Sequence, residues 1–175
     1  MKIRSGNKPK RESGNKIEGF LSILEQRITK IQAISYIPEE HPSEIYFDDY
    51  LHFCNMMDEC LSFLIIIERH LTRLPDPRRT ELQNKFEELS VAVWSVLLDG
   101  SLRFLKVIST KELLPVGTRH IFVHELRTLH DAEKNLKQEK YEKYLDKNVI
   151  ARRKTAERIL NEVIERAPRL LQFGE

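Results

Sequence analysis

The chain has 175 residues, of which 41% are hydrophobic and 32% charged, the balance of an ordinary globular domain rather than of a disordered chain. Six glycines and seven prolines exclude collagen-like and low-complexity sequence, and two cysteines exclude a disulfide framework. The formal net charge of +2 conceals a segregation: residues 31–68 hold eight acidic residues and no Lys or Arg, while residues 133–154 hold eight basic residues against four acidic ones. Such polarity steers a phosphate polymer or orients two subunits; two solvated helix faces would produce it as well.

Residues 1–16 read as a basic, disordered tail without the apolar core of a signal peptide, and residues 17–175 as a single helical-bundle domain. Ile17, Leu21, Leu24, Ile28 and Ile31 step by four and three, the spacing of one apolar helix stripe. A loop spans Pro38 to Pro42, and Ser43 is placed to cap the next helix. That second helix runs to about Leu74 and carries Leu51, Cys54, Met57, Leu61, Leu64, Ile65 and Leu71. Its centre, Phe63 to Ile67, is apolar on every side, which predicts a place in the middle of the bundle. The longest apolar run, Leu61 to Ile67, falls far short of the ~20 residues of a membrane span. Cys54 and Cys60 point about 120° apart on this helix, so both are expected as reduced thiols in a reducing cytoplasm.

Pro75-Asp76-Pro77 breaks the chain, with Asp76 suited to cap a helix that has Pro at its first position. The third helix shows Leu82, Phe86, Leu89, Val93 and Val96, and Gly100 falls on the same stripe. Its pattern fades near Lys111 and stops at Pro115-Val116-Gly117. A fourth helix opens at Thr118, with Phe122, Leu126, Leu129 and Leu136 on one face. Asp146-Lys147-Asn148 ends it, and a fifth helix holds Ala156, Leu160, Val163 and Ile164. No strand alternation occurs. The expected fold class is all-α, an up-and-down bundle of four to five helices.

The stretch Thr118-Arg119-His120-Ile121-Phe122-Val123-His124-Glu125 is the most informative in the chain. It sets an Arg and a His with four residues between them, with a polar residue directly after the Arg, on a helix that opens from a Pro/Gly turn. This pattern resembles the R-x4–6-H motif of the HEPN superfamily, the "higher eukaryotes and prokaryotes nucleotide-binding" domains. The resemblance covers helix count, domain size and the motif's late position, with about eight residues matching in detail. It implies an all-α, metal-independent endoribonuclease that works as a homodimer in a toxin–antitoxin or phage-defence system, with no cofactor. By resemblance His124 would be the general acid/base, Arg119 the phosphate contact and His120 a supporting polar group, and a cognate antitoxin or regulatory protein would hold the activity in check. Some members carry a Tyr two residues after the His; here Leu126 stands there, so a modified tyrosine has no support.

The chemistry of these residue types fits. Arg is permanently charged and presents a planar donor fork to a phosphodiester, while an imidazole moves protons near neutrality. Five residues along a helix turn through about 500°, which leaves positions 119 and 124 some 140° apart. One such pair is an incomplete site, and family members complete it by facing two motifs across a dimer cleft.

Three other readings stay open. Phe122-Val123-His124-Glu125-Leu126-Arg127-Thr128-Leu129 is similar to the H-box of histidine-kinase dimerisation domains, without the Pro that normally follows the Thr. His120 and His124, four apart, share a helical face as two metal ligands would, although spacing supplies no third. The whole chain would also serve as a non-catalytic bundle, an adaptor, antitoxin or regulatory subunit that binds a protein partner. Further along, Lys134, Lys137, Lys140, Tyr141, Lys143 and Tyr144 combine positive charge with aromatic surface, the composition of an RNA-binding face. The partners expected are RNA, a second copy of the chain and a regulatory protein, with no membrane.

Overall fold

A computed structural model describes residues 8–37, 45–109 and 118–170. The chain is an all-α helical bundle, as the periodicity predicts. It comprises α1 (Lys8–Gln32), α2 (Phe47–Leu71), α3 (Asp76–Ser109), α4 (Thr118–Leu136), a short 3-10 helix (Glu139–Tyr144) and α5 (Lys147–Leu170). Helix α1 begins at Lys8, so it takes in the second half of the segment expected to be a tail; residues 1–7 lie outside the described residues. The chain divides into two compact units, Met1–Tyr36 with Phe47–Val93, and Ile37–Tyr46 with Trp94–Glu175.

In the first unit, α1 packs along α2. The stripe Ile17, Leu21, Leu24, Ile28 and Ile31 is buried along its whole length, each such side chain contributing about 1.5–3 kcal/mol. On α2, Met57, Cys60, Leu64, Ile67 and Leu71 are likewise buried. Tyr36 closes the end of α1 against the start of α2, its ring 5.6 Å from Tyr50 and 5.3 Å from Phe53. Polar ties run from α1 to the first half of α3: Arg78 donates to Asn15 Oδ1 at 2.8 Å and Glu18 Oε1 at 2.9 Å, and Lys85 pairs with Glu25 at 3.0 Å. Gly14 permits that approach, since a Cβ there would lie 2.5 Å from the Arg78 guanidinium carbon. Asp76 and Ser43, the caps expected from sequence, carry side chains outside the described residues.

In the second unit, α4 packs on α5 around Leu129, Ala132, Leu136 and Ala156, all fully buried. Helix α5 is started by Asp146, whose carboxylate accepts from the Val149 N–H at 2.7 Å, the geometry of an N-cap. Arg152 of α5 ties to Asp99 of α3 by an ion pair, and Arg153 donates to the Leu136 carbonyl at 3.2 Å.

The expectation for α2 fails at its centre. Ile65 is 54% and Ile66 40% exposed, so the all-round apolar segment keeps one face open. The helix covered on most sides is α3, where Ser90, Val91, Val93, Leu97, Leu98, Ser101, Phe104 and Leu105 are all buried. Hydropathy records how apolar a helix is, while burial depends on which neighbours arrive. By length and composition alone α2 is also the one described helix long and apolar enough to cross a membrane.

Candidate functional site

Helix α4 opens at Thr118, so Arg119, His120 and His124 fall in its first two turns. No acidic residue stands in the first turn, which leaves the partial positive charge of the helix start uncompensated. The side chains of Thr118 and Arg119 lie outside the described residues. His120 and His124 are both exposed, one turn apart on the same side of the helix. Glu125, beside His124, points the other way and is 4% exposed. The same face continues through Val123, Arg127, His130, Asp131 and Lys134, every one exposed. Asp131 is the only acid on it, because Glu125 and Glu133 are buried. Its carboxylate lies 3.2 Å from Nδ1 of His130.

Between α4 and α5 this face opens into a groove of about 360 Å³. Val123 and Leu126 form one wall and Leu160 and Val163 the other, with Arg127, His130 and Asp131 at the rim. These rim residues escape the motif reading, although their spacing of three, six and seven from His124 is the signal that places them on its side of the helix. In the first unit a second groove of about 490 Å³ lies between α1 and α2, where Arg27 and Glu59 form an ion pair beside His52.

The basic run is divided by its surroundings. Lys134, Lys140 and Lys143 are exposed. Lys137 is exposed as well, but its ammonium is engaged, pairing with Glu133 at 2.7 Å and Glu157 at 3.0 Å. The hydrogen bonds it donates, first to Glu133 and then to Glu157, hold its ammonium above the usual lysine range, and the bond from Lys137 holds the Glu157 carboxyl below its own. Tyr141 is 4% exposed, so its ring is not an open stacking platform as its sequence setting suggests. With three residues per turn in the 3-10 helix, position 141 faces inward while Lys140, Glu142 and Lys143 stay outside. Lys140 Nζ sits 4.8 Å from that ring's centroid, and Lys143 Nζ 4.7 Å from the half-buried ring of Tyr144.

Among the described residues no three of His, Cys, Asp and Glu gather as metal ligands would. The Cys60 thiol is pushed up to about 11, chiefly by burial, with Arg27 opposing and Glu59 adding to the shift; a thiol so held is a packing group and a poor nucleophile. Comparison with family models, with curated proteins and with solved structures gives no match.

Proposed function

We propose that the chain is a HEPN-like endoribonuclease that cuts RNA as a homodimer without a metal ion, in the cytoplasm and within a toxin–antitoxin or phage-defence system. The observation that carries this reading is the face of α4: two exposed imidazoles one turn apart, in the first two turns of a helix that also holds Arg119, followed by Arg127 and Lys134 on the same side. In the proposed reaction, His124 takes the proton of a ribose 2′-hydroxyl as its oxygen attacks the adjacent phosphorus. The bond from phosphorus to the 5′-oxygen then breaks, and a protonated imidazole supplies the proton that the leaving oxygen needs. The products are a 2′,3′-cyclic phosphate and a 5′-hydroxyl. Arg119 holds the phosphate through its donor fork, His120 supports, and the second copy brings the opposite half of the site.

A second reading has its own support. Ile65 and Ile66 leave an apolar strip open on α2, within the acidic segment of the chain, as a non-catalytic adaptor, antitoxin or regulatory subunit would for a protein partner. RNA cleavage in EDTA by wild type, Arg119→Ala and His124→Ala separates the two. The ribonuclease reading predicts cleavage by wild type and a loss of at least ~100-fold in each folded variant, the size of a general acid/base contribution. Equal inactivity of all three on varied RNA favours the adaptor, and equal activity of all three places the cleavage elsewhere.

A further inference from the structure

We infer that the groove between α4 and α5 binds a single unstacked base of RNA, beside the phosphate engaged near His124; the inference rests on the ribonuclease reading of α4. The groove is concave and apolar at its walls, where Val123 and Leu126 face Leu160. Val123 is 42% exposed, an unusual position for an apolar residue in this unit, and it lies directly before His124 in the chain. Its volume of about 360 Å³ is within the ordinary range for a small-molecule site.

The rim identifies the occupant. The Arg127 guanidinium and the His130 imidazole are flat groups of the kind on which unpaired bases stack. The Asp131 carboxylate accepts hydrogen bonds, which a base offers through its amino or imino N–H. Along the helix on either side, His120, His124 and Lys134 are exposed and Asp131 is the sole exposed acid. A polyanion carrying apolar flat groups matches both the charge and the walls. A wholly apolar peptide matches only the walls.

The test uses the full chain and two fluorescent probes of equal charge. One is 2′-fluoro decauridine, which has no 2′-hydroxyl nucleophile and so stays intact; the other is an abasic decamer of the same length. The groove predicts that decauridine binds about tenfold or more tightly than the abasic probe, the scale of stacking one or two bases. The neutral changes Val123→Ser and Leu160→Ala should each weaken decauridine about fivefold and leave the abasic probe unchanged. Val123 is exposed, so its variant keeps the fold, which circular dichroism checks. Equal affinity for both probes, or an equal loss for both in the variants, overturns the inference. If cleavage depends on Arg119 and His124 yet the probes bind alike, the groove assignment alone falls. If wild type neither binds decauridine nor cleaves RNA, the ribonuclease reading falls with it.

Discussion

At the scale of single residues, the environment decides what a side chain does more than its type. Cys54 and Cys60 look alike in sequence, but Cys60 is fully buried and its thiol raised, while Cys54 is half-buried. Lys137 is as exposed as its neighbouring lysines, yet its ammonium is tied to the buried carboxylate of Glu133. Ser101 is 1% exposed on α3, and its hydroxyl has no hydrogen-bond partner among the described residues. A buried hydroxyl left unpaired costs stability, and Ala is the better helix former. Ser101→Ala is therefore expected to stabilise the chain by about 1 kcal/mol, read as a higher urea midpoint at unchanged slope. A lower midpoint would show that the hydroxyl is satisfied.

At the scale of elements, starts and stops follow local chemistry. Helix α5 begins where Asp146 offers its carboxylate to the Val149 N–H, after a 3-10 turn whose three-residue period turns Tyr141 inward. Removing the cap leaves an N–H of the first turn without its partner, so Asp146→Ala should cost about 1 kcal/mol. Thermal unfolding measures this, and Asp146→Asn should restore most of the loss because the amide oxygen still accepts. If Asn is as damaging as Ala, the contribution is the carboxylate's charge against the helix dipole rather than its capping bond. Gly14 shows an opposite constraint. It costs helix stability by propensity, but it leaves room for Arg78 to reach Asn15 and Glu18.

At the scale of the whole molecule, the charge segregation seen along the sequence becomes a property of surfaces. The α4 face gathers His120, His124, Arg127, His130 and Lys134 in the open, whereas the acidic segment contains α2 with Ile65 and Ile66 exposed. The ribonuclease reading requires two chains, because positions 119 and 124 lie about 140° apart on one helix. Light scattering coupled to size exclusion should thus give the mass of two 20.7 kDa chains. The dimer should persist in His124→Ala, whose change is at the surface. A monomer at all working concentrations would leave the motif without its second half and favour the adaptor.

The sequence by itself determined the all-α class and most of the buried helix stripes, but it did not show that α1 starts at Lys8 or that the chain leaves α4 at Leu136 for a 3-10 turn. The four-and-three steps of Ile17 to Ile31 define a wholly buried stripe on α1, those of Leu82 to Val96 one buried as far as Val93, and on α4 Leu129 and Leu136 are buried while Phe122 and Leu126 are half-buried, because burial on one side of a helix writes its period into the chain. It also brought out Arg119, His120 and His124 together at a helix start, since capping and motif spacing are local. Tertiary structure alone decided which helix is covered. Phe63 to Ile67 is apolar enough for a central place, but Ile65 and Ile66 remain open, and α3 with its mixed sequence takes the cover instead. It alone buried Tyr141 and bound Lys137 to Glu157, twenty residues away. It alone formed the groove beside His124, because Leu160 and Val163 reach Val123 only through the packing of α5 on α4. Periodicity is a property of neighbours along the chain, whereas a groove is made by residues that meet only when helices pack.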